Sequence, residues 1–363
     1  MIYPWLWRVA WLLLPLAWAL HHFRFDEVLV FFAACASLVP LARTMGDATE
    51  ELAERMGPAA GSLLNATFGN AAELILGIAA LRHGHVGLVK GSITGSILAN
   101  LLLVAGASIV TGGVRFSRLR FNRLLASSSV ATLFLAVVAM VVPTLLSFGG
   151  NPRYDPALLS EEICTVLVIM YALSLFFSLR THREQVASGR EGMHATPAEA
   201  AASRPRSPAR EGAVSWQLLR LLAAAAATAG ASELLVGALD GTVDALHLPE
   251  TFVGVVIVAI VGNAAEHSTA LLFARRGDMD VALGIAWESS KQIALLVAPV
   301  LVLAGALLGA PMDLAFSRFE VASLGISVIA LAMIALDGET HWLEGAFLLA
   351  VYAVLGMGFF FVG

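Results

Sequence analysis

The pentapeptide Gly-Asn-Ala-Ala-Glu occurs twice, at Gly69–Glu73 and Gly262–Glu266, each time inside an apolar stretch long enough to cross a membrane. A carboxylate near the middle of a bilayer is costly and marks a functional site by default. Asn70 and Glu73 share one face of a helix, as do Asn263 and Glu266, and His267 follows directly. The next apolar stretch of each half adds small polar residues: Ser92, Ser96 and Asn100 in the first, Ser289, Ser290 and Gln292 in the second. Carboxylate, amide and hydroxyl oxygens are what a hard divalent cation takes, about six to eight of them for calcium. Two glutamates neutralise a divalent charge, and Gly69 and Gly262 let the backbone unwind so that main-chain carbonyls can join. The same carboxylates accept protons when the ion leaves, so ion and proton compete for one set of oxygens.

Plainer roles stand beside these. Asn and Ser in membrane helices often only pack or hydrogen-bond to a neighbouring helix, and Ser92, Ser290 and Asn100 fit that as well as they fit a site. His267 can be a packing histidine or a ligand. The acids Asp47, Glu50, Glu51 and Glu54 read as a solvated helix face rather than a second cation site. Cys35 and Cys164 lie in apolar segments and read as small buried hydrophobes, not a disulfide or metal pair.

The two pentapeptides belong to a longer repeat. Glu266 lies 193 positions after Glu73, and the same offset without gaps carries Asp47 onto Asp240, Arg82 onto Arg275, Gly91 onto Gly284 and Ser96 onto Ser289. It also carries the run Leu102, Leu103, Val104, Ala105 onto Leu295, Leu296, Val297, Ala298. Duplicated halves of this kind are typical of secondary transporters, with the substrate site between the halves.

The elements that must position these residues are membrane helices. The chain of 363 residues is 58% hydrophobic and 13% charged, with a mean hydropathy of +0.82, which is a polytopic membrane protein and not a soluble domain. The net charge of −5 says little about partners, because the charges sit in loops, and there is no basic surface for nucleic acid. At roughly 20 apolar residues per span, about 11 spans are expected. They fall near 4–22, 26–44, 60–82, 87–112, 123–147, 159–180, 214–239, 249–274, 281–309, 317–336 and 341–362. The first span reads as a retained helix; the alternative is a signal peptide, since Ala17-Trp18-Ala19 has the small-x-small form. Residues 181–213 form a basic, Pro- and Ser-rich linker. Placing it in the cytoplasm also puts Arg115, Arg118, Arg120, Arg123, Arg275 and Arg276 inside, as the positive-inside rule prefers. The N-terminus is then cytoplasmic. The expected fold is all-α: an extra helix at 1–25, a first repeat at 26–180 (spans 2–6), the linker, and a second repeat at 214–363 (spans 7–11). Five spans is an odd number, so the repeats are inverted.

With these residues in view, a family resemblance follows. Gly61-Ser-Leu-Leu-Asn-Ala-Thr-Phe-Gly-Asn-Ala-Ala-Glu-Leu-Ile resembles the first signature of the calcium/proton antiporters, the CAX branch of the cation/calcium exchanger superfamily. Val261-Gly-Asn-Ala-Ala-Glu-His-Ser-Thr-Ala resembles the second, and Gly91-Ser-Ile-Thr-Gly-Ser-Ile-Leu-Ala-Asn-Leu-Leu resembles the helix that follows the first. The similarity extends over the chain from about Leu41. The resemblance implies 11 spans, a five-plus-five inverted repeat and calcium extrusion driven by protons. It carries the cation-binding acids onto Glu73 and Glu266, with Asn70, Asn263, Ser96 and Gln292 as supporting ligands. Ser289 and His267 complete the candidate metal-contacting set.

One departure stands beside the site. Where the family usually has Gly-Ser-Ser-x-Gln with an apolar x, this chain has Glu288-Ser289-Ser290-Lys291-Gln292. By the internal offset Glu288 falls on Gly95 and Lys291 on Leu98. The pair is either a local ion pair with no part in transport or a device that alters which ion binds.

The expectation is a secondary active cation/proton antiporter in a bacterial inner membrane, exchanging calcium for protons by alternating access. The alternative is a sodium- or potassium-coupled exchanger on the same scaffold. No organic cofactor is expected; calcium or a related cation is the cargo and protons the counter-ion. The lipid bilayer is the other partner, with a homo-oligomer left open. A membrane-embedded hydrolase is disfavoured, because the chain has no His-Glu-x-x-His, no Gly-x-Ser-x-Gly and no Cys/His cluster. A channel would be distinguished by flux without a counter-ion.

Overall fold

The structure, a computed structural model, describes residues 12–56, 61, 64, 67–148, 155–176, 214–335 and 337–362. They form helices almost throughout. In chain order these are α1 (Leu13–His22), α2 (Glu27–Met56), α3 (Ala71–Arg82), α4 (Val86–Gly113), α5 (Arg123–Ser147) and α6 (Pro156–Phe176). After residue 213 come α7 (Val214–Gly237), α8 (Leu239–Leu246), α9 (Glu250–Gly262), α10 (Ala264–Arg275), α11 (Met279–Leu308), α12 (Arg318–Ala335) and α13 (Trp342–Val362). A two-residue antiparallel ladder pairs β1 (Leu119–Arg120) with β2 (Glu339–Thr340) in the register Leu119↔Thr340 and Arg120↔Glu339.

Eight of these helices are long and apolar enough to span a membrane, or nine if α8 and α9, bent by 109° to each other, count as one span. The difference from the expected eleven has two sources. The expected spans at 4–22 and 60–82 lie partly outside the described residues. The expected eighth span is not continuous: it is divided at Asn263 between α9 and α10, and α10 has only 12 residues. The linker at 181–213 lies wholly outside the described residues.

The duplication is visible element by element. Adding 193 to the bounds of α3 gives Ala264 and Arg275, the bounds of α10. The same shift carries the start of α4 at Val86 onto the start of α11 at Met279. Both long helices contain a π-helical turn at matching places, Ala99–Val104 in α4 and Ile293–Val297 in α11. π-turns of this kind are rare and frequently sit at functional sites. Even the caps repeat. Gly84 and Gly277 have φ of +85° and +84°, the left-handed conformation that closes a helix C-terminus at least cost in glycine.

The chain divides into two compact units, each drawing on both repeats. The first contains the described residues through Ser92 and those from Val214 through Ala265. Its centre is the packing of α2 on α7, where Met45 and Ala48 meet Leu221 and Ala224, with Phe68, Ala71 and Ile75 against them. On the same helix pair Arg220 of α7 lies 3.9 Å from Asp47 and 3.4 Å from Glu51 of α2, and Gln217 hydrogen-bonds Glu51. Asp47 and Glu51 are therefore partners of an inter-helix ion network on a face that stays half exposed, in keeping with the solvated face the sequence suggests. Still within this unit, α4 and α9 touch backbone to backbone. A Cβ on Gly91 would lie 2.8 Å from the Thr251 carbonyl oxygen, and one on Gly254 would lie 2.7 Å from that of Leu88.

The second unit runs from Ile93 through Phe176 and from Glu266 through Val362. Asn122 caps α5 by accepting from the N–H groups of Leu124 (2.9 Å) and Leu125 (3.3 Å). Ser317 and Glu320 form a reciprocal capping box at the start of α12: the Ser317 N–H donates to Glu320 at 2.8 Å and the Glu320 N–H donates to the Ser317 hydroxyl at 3.2 Å. The buried Glu320 carboxylate also accepts from Thr94 at 3.2 Å, so its charge belongs to the helix terminus. Gly106 and Gly345 bring α4 and α13 into close contact, a Cβ on Gly345 lying 2.6 Å from the Gly106 carbonyl oxygen.

Candidate functional site

Both signature segments are helix breaks. α3 starts immediately after Asn70, whose φ and ψ are −106° and 21°, and α10 starts immediately after Asn263, at −92° and 8°. These angles fall near the sparsely populated bridge region, where non-helical residues of sites are often found. Asparagine suits such a place because its short amide can replace a lost backbone partner. Asn263 ties the break to the preceding turn: its Nδ2 donates to the Ala259 carbonyl oxygen at 2.9 Å, beside its own backbone N–H at 3.3 Å. Each break puts a glutamate into the first turn of the following helix, Glu73 in α3 and Glu266 in α10. Helix N-termini present unsatisfied N–H groups and a positive dipole end, which favours a carboxylate there. The identical Gly-Asn-Ala-Ala-Glu sequence thus builds the same local object twice.

In the first unit Glu73 lies against the second break. A Cβ on Gly262 would be 3.7 Å from its Oε1. Asn70 and Asn263 are both buried in this unit, each 1% exposed. The Thr228 hydroxyl of α7 donates to Met45 Sδ of α2 at 3.3 Å, whereas the buried Ser232 hydroxyl of α7 has no hydrogen-bond partner among the described residues.

In the second unit a chain of three polar side chains leads from α4 to α10. The Asn100 amide Nδ2 donates to Ser289 Oγ at 3.0 Å, and the Ser289 hydroxyl hydrogen-bonds the Glu266 carboxyl group. The direction is fixed by chemistry. Ser289 accepts from the amide and so has its single proton free for the carboxylate. Two oxygens are left at the ends of this chain, Asn100 Oδ1 and Glu266 Oε2, both buried and without a hydrogen-bond partner among the described residues. His267 is buried next to Glu266 in sequence, and its Nε2 likewise has no partner among them. Ser96 is buried in the same unit, 2% exposed.

The candidates separate as follows. Asn70, Glu73 and Asn263 lie in the first unit; Glu266, His267, Ser96, Ser289 and Gln292 lie in the second. Ser290 has the plainer role, its hydroxyl donating to its own helix at Ala286 O, 2.9 Å away. Asn100 is brought into hydrogen-bond contact with a candidate residue, which the sequence pattern left undecided. Gln292 lines a small pocket with Glu288 and Lys291, and Lys291 Nζ hydrogen-bonds Glu288 Oε1. The hydroxyl-bearing residues Thr132, Tyr171 and Ser174 of that pocket were missed from sequence; their signal was no more than three polar side chains inside apolar spans. Among the described residues no three carboxylate, imidazole or thiol groups gather as a metal cluster. Amide, hydroxyl and carboxylate oxygens are the groups that the Asn100, Ser289 and Glu266 chain presents, and all are oxygen ligands of the kind a hard cation takes.

Known proteins match this chain over nearly its whole length. It is 41% identical over 353 residues to a Ca(2+)/H(+) antiporter of Aphanothece halophytica, covering 96% of this chain and 95% of that protein. It is 39% identical over 339 residues to the Ca(2+)/H(+) antiporter ChaA of Bacillus subtilis, covering 93% of each. The solved structure of native YfkE superposes with a TM-score of 0.80 at 35% identity, covering 96% of this chain and 97% of that one. The family model described as sodium/calcium exchanger protein matches residues 27–180 and 216–361, one segment for each repeat. With both halves covered by that match, the chain belongs to the sodium/calcium exchanger protein family.

Proposed function

We propose that this membrane protein is a secondary active carrier that exchanges calcium for protons by alternating access. The observation that carries the reading is identity of 41% to a Ca(2+)/H(+) antiporter across both repeats, with no large segment left over on either side. The local chemistry supports it. Glu73 and Glu266 each start a helix at a break, and the Glu266 carboxylate has one oxygen committed to Ser289 and one without a partner among the described residues. In this reading Glu73 and Glu266 bind ion and proton in turn. Asn70, Asn263, Ser96, Ser289, Gln292 and His267 supply supporting contacts. No organic cofactor takes part. Residues 26–180 and 214–363 are the two inverted repeats, 1–25 is an additional helix, and the basic linker at 181–213 faces the cytoplasm with the N-terminus. The protein resides in a bacterial inner membrane, where it works as a single chain or as a homo-oligomer.

A second reading rests on the family description itself, which names sodium and calcium. It is a sodium- or potassium-coupled cation exchanger on the same scaffold. One experiment separates the two. Purified protein in proteoliposomes is given an imposed pH gradient, and uptake of calcium, manganese, sodium and potassium is measured. Calcium movement driven by the pH gradient alone supports proton coupling. Calcium movement that requires opposed sodium or potassium and ignores pH overturns it. Ion flux that needs no counter-ion would identify a channel.

A further inference from the structure

The long helix α11, apolar and long enough to span a membrane, carries a charge pair well inside its length, with the Glu288 side chain 52% exposed and Lys291 buried. Glu288 is the tenth residue of Met279–Leu308, about 14 Å along its axis, and Lys291 lies one turn further. Charged residues at such depth are rare because they are costly, and those present pair or serve the transport path. The Lys291 side chain is 10% exposed and its Nζ hydrogen-bonds Glu288 Oε1. The pair lines a pocket whose other polar walls are Thr132 of α5, Tyr171 and Ser174 of α6, and Gln292. Tyr171 is nine-tenths buried, and its hydroxyl has no hydrogen-bond partner among the described residues. Thr132 donates its own proton to Ser128 O at 2.9 Å, so its oxygen can only accept from the pocket. An ammonium group carries three donors and no acceptor. The pocket offers what it needs: one carboxylate, three hydroxyl oxygens and an amide. In the first repeat the matching positions are Gly95 and Leu98, so both charges are special to the second half.

We propose that this pocket is a subsite for an ammonium-type cation, with Glu288 as its anionic ligand and the chain's own Lys291 on its wall as the resident charge that occupies that ligand, and that the resident charge weakens binding of a transported divalent cation beside Gln292. The first half of the statement stands on the pocket alone; the second rests on the cation-exchange reading. Lys291→Ala removes three methylenes and the ammonium group, which is the shape and charge of n-propylammonium. The emptied subsite takes that ion back. Glu288 gives it charge selectivity, so neutral 1-propanol does not substitute.

The test uses the purified full-length protein. The melting temperature of Lys291→Ala is measured with n-propylammonium chloride, with 1-propanol, and with sodium chloride at equal ionic strength. At about ten times its dissociation constant, propylammonium should raise it by about 2 °C over both controls. Wild type and the double variant Glu288→Gln with Lys291→Ala should not respond. A rise no larger than that of wild type, or equalled by propanol, overturns the subsite. If Lys291→Ala alone does not accumulate, the paired change Glu288→Gly with Lys291→Leu, which restores the pattern of the first repeat, decides. Its recovery at wild-type yield supports a coupled pair, and its equal loss overturns it. In proteoliposomes Lys291→Ala should bind calcium roughly tenfold more tightly, the scale of one added negative charge in a partly solvated site, and propylammonium should reverse the gain. Unchanged calcium affinity together with a positive melting result overturns the tuning role only. Absence of any calcium exchange by wild type strikes the exchange reading and leaves the melting result to decide the subsite.

Discussion

Glu73 and Glu266 each stand in the first turn of a helix, and the proposed exchange needs a titratable negative charge at both. Glu73→Gln and Glu266→Gln keep shape and hydrogen-bonding size but remove both the charge and the proton site. Each should abolish calcium/proton exchange in proteoliposomes while the variant elutes as folded protein; near-normal calcium flux in either would reject the assignment. The supporting serines differ more sharply. Ser289 joins Asn100 to Glu266, whereas Ser290 bonds only to Ala286 of its own helix. A hydrogen bond to a charged group is worth about 1.5–3 kcal/mol. Ser289→Ala should therefore weaken calcium binding by roughly tenfold or more, and Ser290→Ala should leave it within a factor of about two, as measured by calcium-dependent uptake. The two glutamates stand out in the sequence because an acid inside a membrane span is costly and because the same five residues occur around both. The choice between two adjacent serines was not legible there. They lie about 100° apart around the helix, and only packing decides which one turns toward Asn100.

The elements show where pattern reading fails. Hydropathy treats the second signature as the interior of one continuous span, since Gly262 and Asn263 sit among apolar residues. The backbone instead breaks there, and the break is what gives Glu266 a helix N-terminus. The glycine in each pentapeptide hinted at unwinding; the matched π-turns in α4 and α11 had no signal, because a π-turn depends on one extra residue per turn and not on side-chain type. The partners of Asp47 and Glu51 were hidden from the sequence for a related reason. Arg220 and Gln217 lie more than 160 residues away, beyond the reach of any local pattern. Close helix contact is more predictable once glycines are placed. At Gly91 and Gly254 the facing backbones leave no room for a methyl group. Gly91→Ala and Gly254→Ala should each destabilise the protein by about 1–3 kcal/mol, although alanine is the better helix former. Thermal unfolding in detergent would show this as a lower midpoint, and an unchanged or higher midpoint would mean that α4 and α9 can separate without cost.

For the molecule as a whole, the class, the family and the duplication were all readable, because each is spread over many residues: composition over the chain, the 193-residue offset over matching helices, and the signatures over both halves. The division into units was not, since it cuts across the repeats and joins residues near Ser92 with residues near Ala265. Coupling is the property that belongs to this scale. If ion and proton use the same carboxylates, binding a cation must expel protons, because a metal-bound carboxylate is a deprotonated one. Lower pH then supplies the competitor, so apparent calcium affinity should fall as pH falls and recover as it rises. The sign is opposite for a carrier whose acids only orient the cation through a bound proton. Calorimetric titration of calcium in buffers of different ionisation enthalpy measures the released protons directly. With both acids intact, proton release should be positive at neutral pH. It should diminish in Glu73→Gln and in Glu266→Gln, each of which removes one of the two sites. Equal heats in every buffer would show that no proton leaves on binding, and that the coupling to protons, if the flux assay finds it, runs through residues other than Glu73 and Glu266.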